Sequence, residues 1–172
     1  MNNIILIGMM GAGKSAVGRL LAEKLQRRFC DVDLCIEKAA GMSIADIFAN
    51  EGEYSFRKRE REALTYILEV KEQVIATGGG AVMDEDNVFK MRKGGQVVYL
   101  SAPVELLAKR VNAEGATARP LLANGNAEEA IKSLLAQRAN IYSRAAHVVV
   151  EQTAEYKQTQ VADKVLAALE TA

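Results

Sequence analysis

Short apolar runs alternate with longer amphipathic segments along most of the chain. The runs predict buried strands at 3–7, 29–32, 73–76, 96–100 and 147–150. Apolar positions three and four residues apart predict helices at 14–27, 34–40, 44–50, 55–70, 85–93, 103–112, 127–145 and 159–170. Strands that alternate with helices are typical of right-handed crossovers and a parallel sheet covered on both faces. The pattern therefore predicts a three-layer α/β/α fold with a five-stranded parallel sheet, in one domain spanning 1–172.

Two stretches depart from this regular alternation. The helical block 34–70 is far longer than a crossover between two neighbouring strands requires, and it predicts a helical subdomain. Residues 112–126 are rich in Gly, Asn and small side chains, yet they contain Arg119 followed by Pro-Leu-Leu. Loops of this length inside a compact domain are usually functional, so the segment predicts a mobile lid.

A glycine-rich loop connects the first predicted strand to the first predicted helix. Residues 8–15 read Gly-Met-Met-Gly-Ala-Gly-Lys-Ser, which is the pattern G-x-x-x-x-G-K-S in the context that gives it meaning. Its backbone N–H groups and the helix N-terminus would cradle phosphates, Lys14 would meet the β- and γ-phosphates, and Ser15 would coordinate Mg²⁺. The flanking strand and helix disfavour the alternative, a glycine-rich turn with a chance Lys-Ser. The predicted phosphate-binding set is Gly11, Ala12, Gly13, Lys14, Ser15 and Ala16.

Composition narrows the possible partners without identifying one. The 172 residues are 49% hydrophobic and carry 22 Lys and Arg against 22 Asp and Glu, so no global charge favours nucleic acid or an anionic membrane. No apolar run approaches the roughly 18 residues of a membrane span, and no signal peptide is evident, so we expect a cytoplasmic protein. Cys30 and Cys35 predict two reduced, partly buried thiols, and His147 predicts a residue at a strand edge rather than a catalytic base.

Two acidic residues follow the second predicted strand. Asp31 and Asp33 lie where open α/β sheets bind ligands, outside the carboxyl ends of the strands, and alternation would place both on one side. One carboxylate would hold a metal ion, and the other would bind or deprotonate an acceptor hydroxyl. The alternative is a structural turn in which Asp33 caps a helix that starts at Leu34. Because the third strand ends in Gly78 with no carboxylate, Asp31 is the candidate second Mg²⁺ ligand beside Ser15.

Three further features could bind a small acceptor. The run Gly78-Gly79-Gly80 is either a flexible turn or a place where a ligand approaches exposed N–H donors. Arg57 and Glu60 lie one helical turn apart, so Glu60 could hold Arg57 for a substrate carboxylate, although such charged stretches usually form a solvated face. From charge pattern alone, Arg138 is a surface cation.

Taken together, these segments resemble the shikimate kinase family over nearly the whole chain. The phosphate loop alone indicates only a superfamily, whereas the ordered combination of the later motifs is specific. The matching segments are Gly8–Ser15, Asp31-x-Asp33-x-x-Ile36-Glu37, Gly41-x-Ser43-Ile44-x-Asp46-Ile47-Phe48, Gly52-Glu53-x-x-Phe56-Arg57-x-x-Glu60, Gly78-Gly79-Gly80, Arg119-Pro120-Leu121-Leu122 and Arg138-x-x-x-Tyr142.

The resemblance implies ATP-dependent phosphorylation of the 3-hydroxyl of shikimate, with Mg²⁺, in aromatic amino-acid biosynthesis. It implies that Asp33 holds the acceptor hydroxyl, that Arg57 and Arg138 bind the shikimate carboxylate, and that Arg119 on the lid reaches the phosphates. Arg110 corresponds to the arginine on the adenine side. The implied sets are catalytic Lys14, Asp33 and Arg119; ATP-binding Arg110 and Arg119 with the phosphate-binding set; substrate-binding Asp33, Arg57, Gly78, Gly79, Gly80 and Arg138, supported by Glu60; and metal-binding Ser15 and Asp31.

Two other functions compete with this one. Another small P-loop kinase, similar to gluconate kinase or to a nucleoside monophosphate kinase, would share the loop. A nucleoside monophosphate kinase would be expected to carry an acceptor-nucleotide site, whereas the D-x-D, G-G-G and F-R-x-x-E motifs favour a carboxylate-bearing polyol. A non-catalytic P-loop regulator would be expected to lack Lys14, Asp33 or the lid arginine, and all three are present. With no coiled coil or extra domain, we expect a monomer whose partners are ATP and shikimate.

Overall fold

Five parallel strands form one sheet in the order β2-β3-β1-β4-β5. The computed structural model describes residues 2–114 and 126–171. The strands are β1 (Asn3–Ile7), β2 (Arg28–Asp31), β3 (Gln73–Ala76), β4 (Gly95–Ser101) and β5 (Val148–Glu151). Each lies within one or two residues of its predicted position, and every strand pairing is parallel, so the predicted sheet is confirmed.

Helices cover this sheet as the alternating pattern predicts. They are α1 (Lys14–Leu25), α2 (Val32–Ala40), α3 (Ile44–Glu69), α4 (Glu85–Gly94), α5 (Val104–Glu114), α6 (Ala127–Ala145) and α7 (Gln158–Glu170), with a 3₁₀ turn at Ala81–Met83. Helix α1 packs on β3 and α7, and α4 packs on β4 and α3. The central strands β1 and β3 are buried along their whole length, as expected for continuous apolar runs in a covered parallel sheet. None of the described helices is long and apolar enough to cross a membrane.

The position of β1 explains where a ligand can bind. Strand β1 pairs with β3 on one side and with β4 on the other, so the chain changes direction across the sheet at β1. Open α/β sheets bind ligands outside the carboxyl ends of the strands at such a switch point. The phosphate loop follows β1 and the triglycine run follows β3, so both meet at this edge.

Two local predictions need correction. Helix α2 begins at Val32 and its cap is Asp31, so the alternative in which Asp33 caps a helix starting at Leu34 is wrong. Asp33 therefore lies in the first turn of a helix, and strand alternation is not what places it beside Asp31. The predicted helices 44–50 and 55–70 form one helix, α3, with a kink at Gly52, whose φ of 83° favours glycine.

The predicted lid overlaps the end of α5. That helix extends to Glu114, two residues beyond its predicted end, and Asn126 caps α6 through its side chain. The rest of 112–126, including Arg119-Pro120-Leu121-Leu122, lies outside the described residues.

Candidate active site

A cleft of about 710 Å³ opens at the carboxyl edge of the sheet. The phosphate loop forms one wall, and the start of α2, the second half of α3, the triglycine run and α6 contribute the other walls. The predicted site residues that line it are Gly11, Gly13, Lys14, Ser15, Ala16, Asp31, Asp33, Arg57, Glu60, Gly78, Gly79, Gly80 and Arg138. Residues far apart in sequence therefore surround one volume.

The phosphate loop has the backbone that its glycines were predicted to allow. Gly11 and Gly13 have φ values of 77° and 82°, and Gly13 caps α1 without a side-chain hydrogen bond. A Cβ on Gly11 would lie 2.7 Å from the carbonyl oxygen of Leu107, so a larger residue is excluded there. The Lys14 ammonium donates to the carbonyl oxygens of Gly8 and Met9, at 2.8 and 3.0 Å. The N-terminus of α1, with its backbone N–H groups, suits an anionic group.

Asp31 joins the loop to the second half of the cleft. Its Oδ1 accepts from the backbone N–H groups of Asp33 and Leu34, and thereby caps α2. Its Oδ2 accepts from the Ser15 hydroxyl at 2.6 Å. A hydroxyl and a carboxylate beside a phosphate loop are the hard oxygen ligands that Mg²⁺ uses with substrate phosphates and water. Among the described residues, no cluster of three or more acidic, His or Cys side chains could hold a metal ion.

Asp33 and Glu60 bring two carboxylates close together in the cleft. Oδ1 of Asp33 and Oε1 of Glu60 are shielded from solvent and find no hydrogen-bond partner among the described residues. Gly78 makes this approach possible, because a Cβ there would lie 2.9 Å from the first oxygen and 2.8 Å from the second. Burial, followed by the charges of Asp31 and Glu60, raises the pKa of Asp33 to about 6, although Lys14 opposes the shift. Asp33 is therefore a stronger base than an exposed aspartate.

Arg57 is held by the partner that the sequence predicted. Its guanidinium donates to Oε2 of Glu60 at 2.8 Å and contacts Glu53 at 3.2 Å. Burial alone would lower the pKa of Arg57, but the charges and hydrogen bonds of Glu60 and Glu53 together outweigh burial and raise the pKa. The guanidinium lies directly against Gly80, where a Cβ would be 2.5 Å from Nη2. Gly80 thus lets a fixed cation approach the triglycine backbone.

Arg138 is buried rather than exposed, so the expectation from charge pattern alone is wrong. The residue is 7% exposed and lines the cleft. Its Nε and Nη1 are buried and have no partner within the described part of the chain. Buried polar groups are nearly always hydrogen-bonded in native proteins, so these guanidinium donors are suited to bind an anionic group in the cleft.

Comparison with known proteins decides the family. A family model described as shikimate kinase matches residues 10–170. A shikimate kinase from Symbiobacterium thermophilum is 47% identical over 85% of this chain and 84% of its own, and one from Chromohalobacter salexigens is 48% identical over 86% and 81%. The solved shikimate kinase from Acinetobacter baumannii in complex with shikimate superimposes with a TM-score of 0.94, at 40% identity, over 99% of this chain and 94% of that one.

The chain belongs to the shikimate kinase family. The family is one of ATP-dependent small-molecule kinases, and the five-stranded sheet has the P-loop kinase fold of these relatives. The alternatives considered from sequence, a gluconate kinase-like enzyme and a non-catalytic regulator, are therefore disfavoured. A solved gluconokinase from Sinorhizobium meliloti, 17% identical with a TM-score of 0.58, shares the fold alone.

Arg110 lies against the back of the phosphate loop. Its Nη1 donates to the carbonyl oxygen of Gly11 at 3.2 Å and to Oε1 of Gln152 at 3.1 Å. The amide of Gln152, a residue only 3% exposed, donates in turn to the carbonyl oxygen of Ala12 at 2.9 Å. The resemblance implied Arg110 on the adenine side, and that role stays a prediction. Gln152 lies in the segment 151–156, which aligns only loosely with the family, so the sequence did not single out this residue.

Tyr142 is the second residue whose place the sequence did not reveal. Its hydroxyl donates to the carbonyl oxygen of Gly79 at 2.5 Å, and its ring is fully buried. Two signals were available: the segment Arg138-x-x-x-Tyr142 matches the family, and residues four apart share a helix face.

Three other sequence predictions fall outside the cleft or the described residues. The structure does not describe Arg119, so its place relative to the phosphates stays a prediction. His147 precedes β5, and its Nδ1 accepts from the backbone N–H of Val97, which is a structural role at a strand end. Cys30 and Cys35 are free, partly buried thiols whose sulfurs lie 3.4 Å apart. Burial, followed by contact with Cys35, raises the pKa of Cys30 to about 12, so this thiol is not a ready nucleophile.

Proposed function

We propose that this chain, as a shikimate kinase, transfers the γ-phosphate of ATP to the 3-hydroxyl of shikimate through the residues of the cleft. The observation that carries the assignment of roles is Arg138, whose buried guanidinium has unpaired donors facing the same volume as Asp33 and the phosphate loop. An acceptor that combines a carboxylate with hydroxyls would satisfy both ends of this arrangement. The relative from Acinetobacter baumannii was solved with shikimate, which has this chemistry.

Arg57 and Arg138 would bind the substrate carboxylate. Glu60 holds Arg57 in place before the ligand arrives, so less side-chain freedom is lost on binding. Arg138 offers donors that no described residue uses. The N–H groups along Gly78, Gly79 and Gly80 would contact the ring hydroxyls, since their missing side chains leave the backbone accessible.

Asp33 would orient the acceptor hydroxyl and accept its proton as the oxygen attacks phosphorus. Its carboxylate is mostly ionised at neutral pH, yet its raised pKa makes it more basic than an ordinary aspartate. Lys14 lines the same cleft and is near enough to Asp33 to lower its pKa, so a γ-phosphate held by Lys14 would lie close to the hydroxyl. Phosphoryl transfer depends mainly on such alignment and on stabilisation of charge.

On the donor side, Lys14 would exchange its two backbone carbonyls for the β- and γ-phosphates. Ser15 and Asp31, already joined by a hydrogen bond, would hold Mg²⁺. When bound, Mg²⁺ supplies neutralisation of charge on the β- and γ-phosphate oxygens. The backbone of the phosphate-binding set, Gly11, Ala12, Gly13 and Ala16, would donate to the phosphates. Arg110 would support the adenine side and Arg119 would approach the phosphates on closure.

Other properties of the protein stay predictions from the sequence. These are the monomeric state, a cytoplasmic location, the lid at 112–126, the single domain, and the absence of nucleic-acid and membrane partners.

A coupled assay of ADP release with Mg·ATP tests the function directly. Shikimate should give steady turnover, and the product should carry phosphate on the 3-hydroxyl by phosphorus NMR. Gluconate, a carboxylate-bearing polyol without the ring, serves as the matched control acceptor and should give no turnover above background. Folded protein that turns over gluconate but not shikimate would contradict the proposal.

A further inference from the structure

The hydroxyl of Tyr142 lies where three parts of the site meet. It donates to the carbonyl oxygen of Gly79 and contacts the sulfur of Met9, in the phosphate loop, at 3.7 Å. The side chain of Arg138, one helical turn earlier, also approaches it, and this contact partly offsets the burial that raises the pKa of Tyr142 to about 12. One buried hydroxyl thus contacts the triglycine run, the phosphate loop and Arg138.

The contact with Gly79 fixes the orientation of a peptide group. In a trans peptide the carbonyl of one residue and the N–H of the next point in opposite directions. Tyr142 does not line the cleft, whereas Gly80 does. When Tyr142 holds the Gly79 carbonyl, the N–H of Gly80 is turned away from Tyr142, and Gly80 itself borders the cleft in which substrate would bind.

Glycine makes this restraint necessary. Three successive glycines have no Cβ to limit rotation, so a peptide between them can turn over at little steric cost. Within the run, Gly78 and Gly80 accept backbone hydrogen bonds from Ala81 and Met83, whereas the Gly79 carbonyl accepts from Tyr142. The side chain of Tyr142, on α6, therefore selects the orientation of this peptide.

The ring of Tyr142 has its own support, which separates the role of the hydroxyl from that of the aromatic group. It stacks on Tyr99 with ring centroids 5.0 Å apart and an interplanar angle of 19°. Removing the hydroxyl would leave this packing in place. The hydroxyl can therefore be tested without removing a core side chain.

We propose that Tyr142 is a positioning residue of the acceptor site, whose hydroxyl holds the Gly79–Gly80 peptide and Arg138 in the orientation that receives the substrate. This inference rests on the proposed function, because it concerns the same substrate. It deepens that function by assigning control of acceptor recognition to a residue outside the cleft. Tyr142 does not touch the substrate and acts through the triglycine run and Arg138.

The test compares Tyr142→Phe with Tyr99→Phe, which removes the hydroxyl of the stacked partner ring. Tyr142→Phe should lower kcat/KM for shikimate by about 10- to 100-fold, because a buried carbonyl loses its donor and the peptide can turn over. KM for ATP should change by less than about threefold, and Tyr99→Phe should leave both values near wild type. Calorimetric titration with shikimate, without nucleotide, should show the same weakening in Tyr142→Phe.

Two results would overturn the inference. One is an equal loss for ATP and shikimate in Tyr142→Phe, and the other is wild-type affinity for shikimate. A melting temperature within a few degrees of that of Tyr99→Phe would show that the loss is not one of folding. Failure of the proposed function is distinguishable, since wild-type protein would then show no shikimate-dependent turnover.

Discussion

The two halves of the cleft differ in how well their polar groups are satisfied before any ligand binds. On the donor side, Lys14 contacts two carbonyls, Ser15 contacts Asp31, and Arg110 and Gln152 hold the back of the loop. On the acceptor side, buried oxygens of Asp33 and Glu60 and buried nitrogens of Arg138 have no partner among the described residues. Among the described residues, four unpaired buried atoms thus lie in the acceptor half, whereas one, Oε1 of Gln158 beside Gly13, lies in the donor half.

This difference indicates where the protein gives up stability for function. A buried polar atom without a partner costs about 1–3 kcal/mol. Under the proposed function, a carboxylate and hydroxyls of the substrate would satisfy the acceptor groups. The donor groups would instead exchange internal hydrogen bonds for phosphate contacts. Stability and activity should therefore respond differently to mutation in the two halves.

The largest effect is expected at Lys14. Lys14→Met should lower kcat by about 10³-fold or more, because the cation that stabilises the transferring phosphoryl group is removed. Methionine fits the same space, so the melting temperature should stay within a few degrees of wild type. Steady-state kinetics with Mg·ATP and shikimate provide the measurement.

Lys24→Met is the matched control for that variant. Lys24 lies on the same helix but pairs with Asp163 at the surface. It should keep nearly full activity, since exposed ion pairs contribute little. If both variants lost kcat alike, the loss would come from destabilisation of α1 and not from removal of the Lys14 cation.

The next largest effect is expected at Arg138 and concerns binding rather than folding. Arg138→Lys keeps the charge but loses the planar fork, so the shikimate KM should rise by about 10- to 100-fold. Because the two donors have no described partner in the free protein, the melting temperature should barely fall. Exposed Arg144, on the same helix, gives the control Arg144→Lys, which should resemble wild type.

A large loss of stability in Arg138→Lys, with shikimate KM unchanged, would contradict the contrast between the halves. The arginine would then belong to the core, and its unpaired donors would not await a ligand.

The same contrast describes what the sequence could predict. The phosphate loop is contiguous, so Lys14 and Ser15 could be recognised within eight residues, and their flanking strand and helix are also local. The acceptor half is assembled from distant segments, so the environment of Arg138 depends on how α6 packs. The prediction from charge pattern alone, that Arg138 is exposed, was therefore wrong. Only the resemblance to a family placed Arg138 among the substrate-binding residues.

Boundary errors have an equally local cause. Strand β2 ends at Asp31 rather than at 32, because the Asp31 carboxylate caps α2. The helix therefore begins at Val32, immediately after its cap. Helix α3 continues through 51–54, where the sequence predicted a break, because Gly52 absorbs the kink in a single residue. Neither event changes the apolar pattern, so periodicity cannot reveal it.

A smaller effect is expected from Asp33, as a change of stability with pH. The pKa of Asp33 in the folded protein, about 6, lies above its ordinary value of 3.8. Protonation therefore favours the folded state, and the cost of the charged form appears as pH rises from about 4 and is complete above about 6. Asp33→Asn should raise the free energy of unfolding by about 1–3 kcal/mol at pH 7.5 and by little at pH 4.

Urea unfolding at both pH values measures this difference. Asp163→Asn, at an exposed aspartate, is the control and should change stability little at either pH. Asp33→Asn should also lose most shikimate kinase activity, because it lacks the base. A loss of stability at pH 7.5 would mean that Asp33 is satisfied in the free protein and that the acceptor half is not strained.

The smallest effect is expected at Gln152, which supports the donor half from behind. Gln152→Ala removes the donor to Ala12 and the acceptor for Arg110, so KM for ATP should rise by about three- to tenfold while the shikimate KM stays within twofold. Gln73→Ala is the matched control, because Gln73 is also a buried glutamine that donates to backbone carbonyls, at Ile67 and Val70 away from the cleft. Both variants should lose comparable stability, but only Gln152→Ala should raise the KM for ATP. If Gln73→Ala raised the KM for ATP as much, the phosphate loop would depend on the overall stability of the protein. Its hydrogen bonds to Gln152 would then give no separate support to ATP binding.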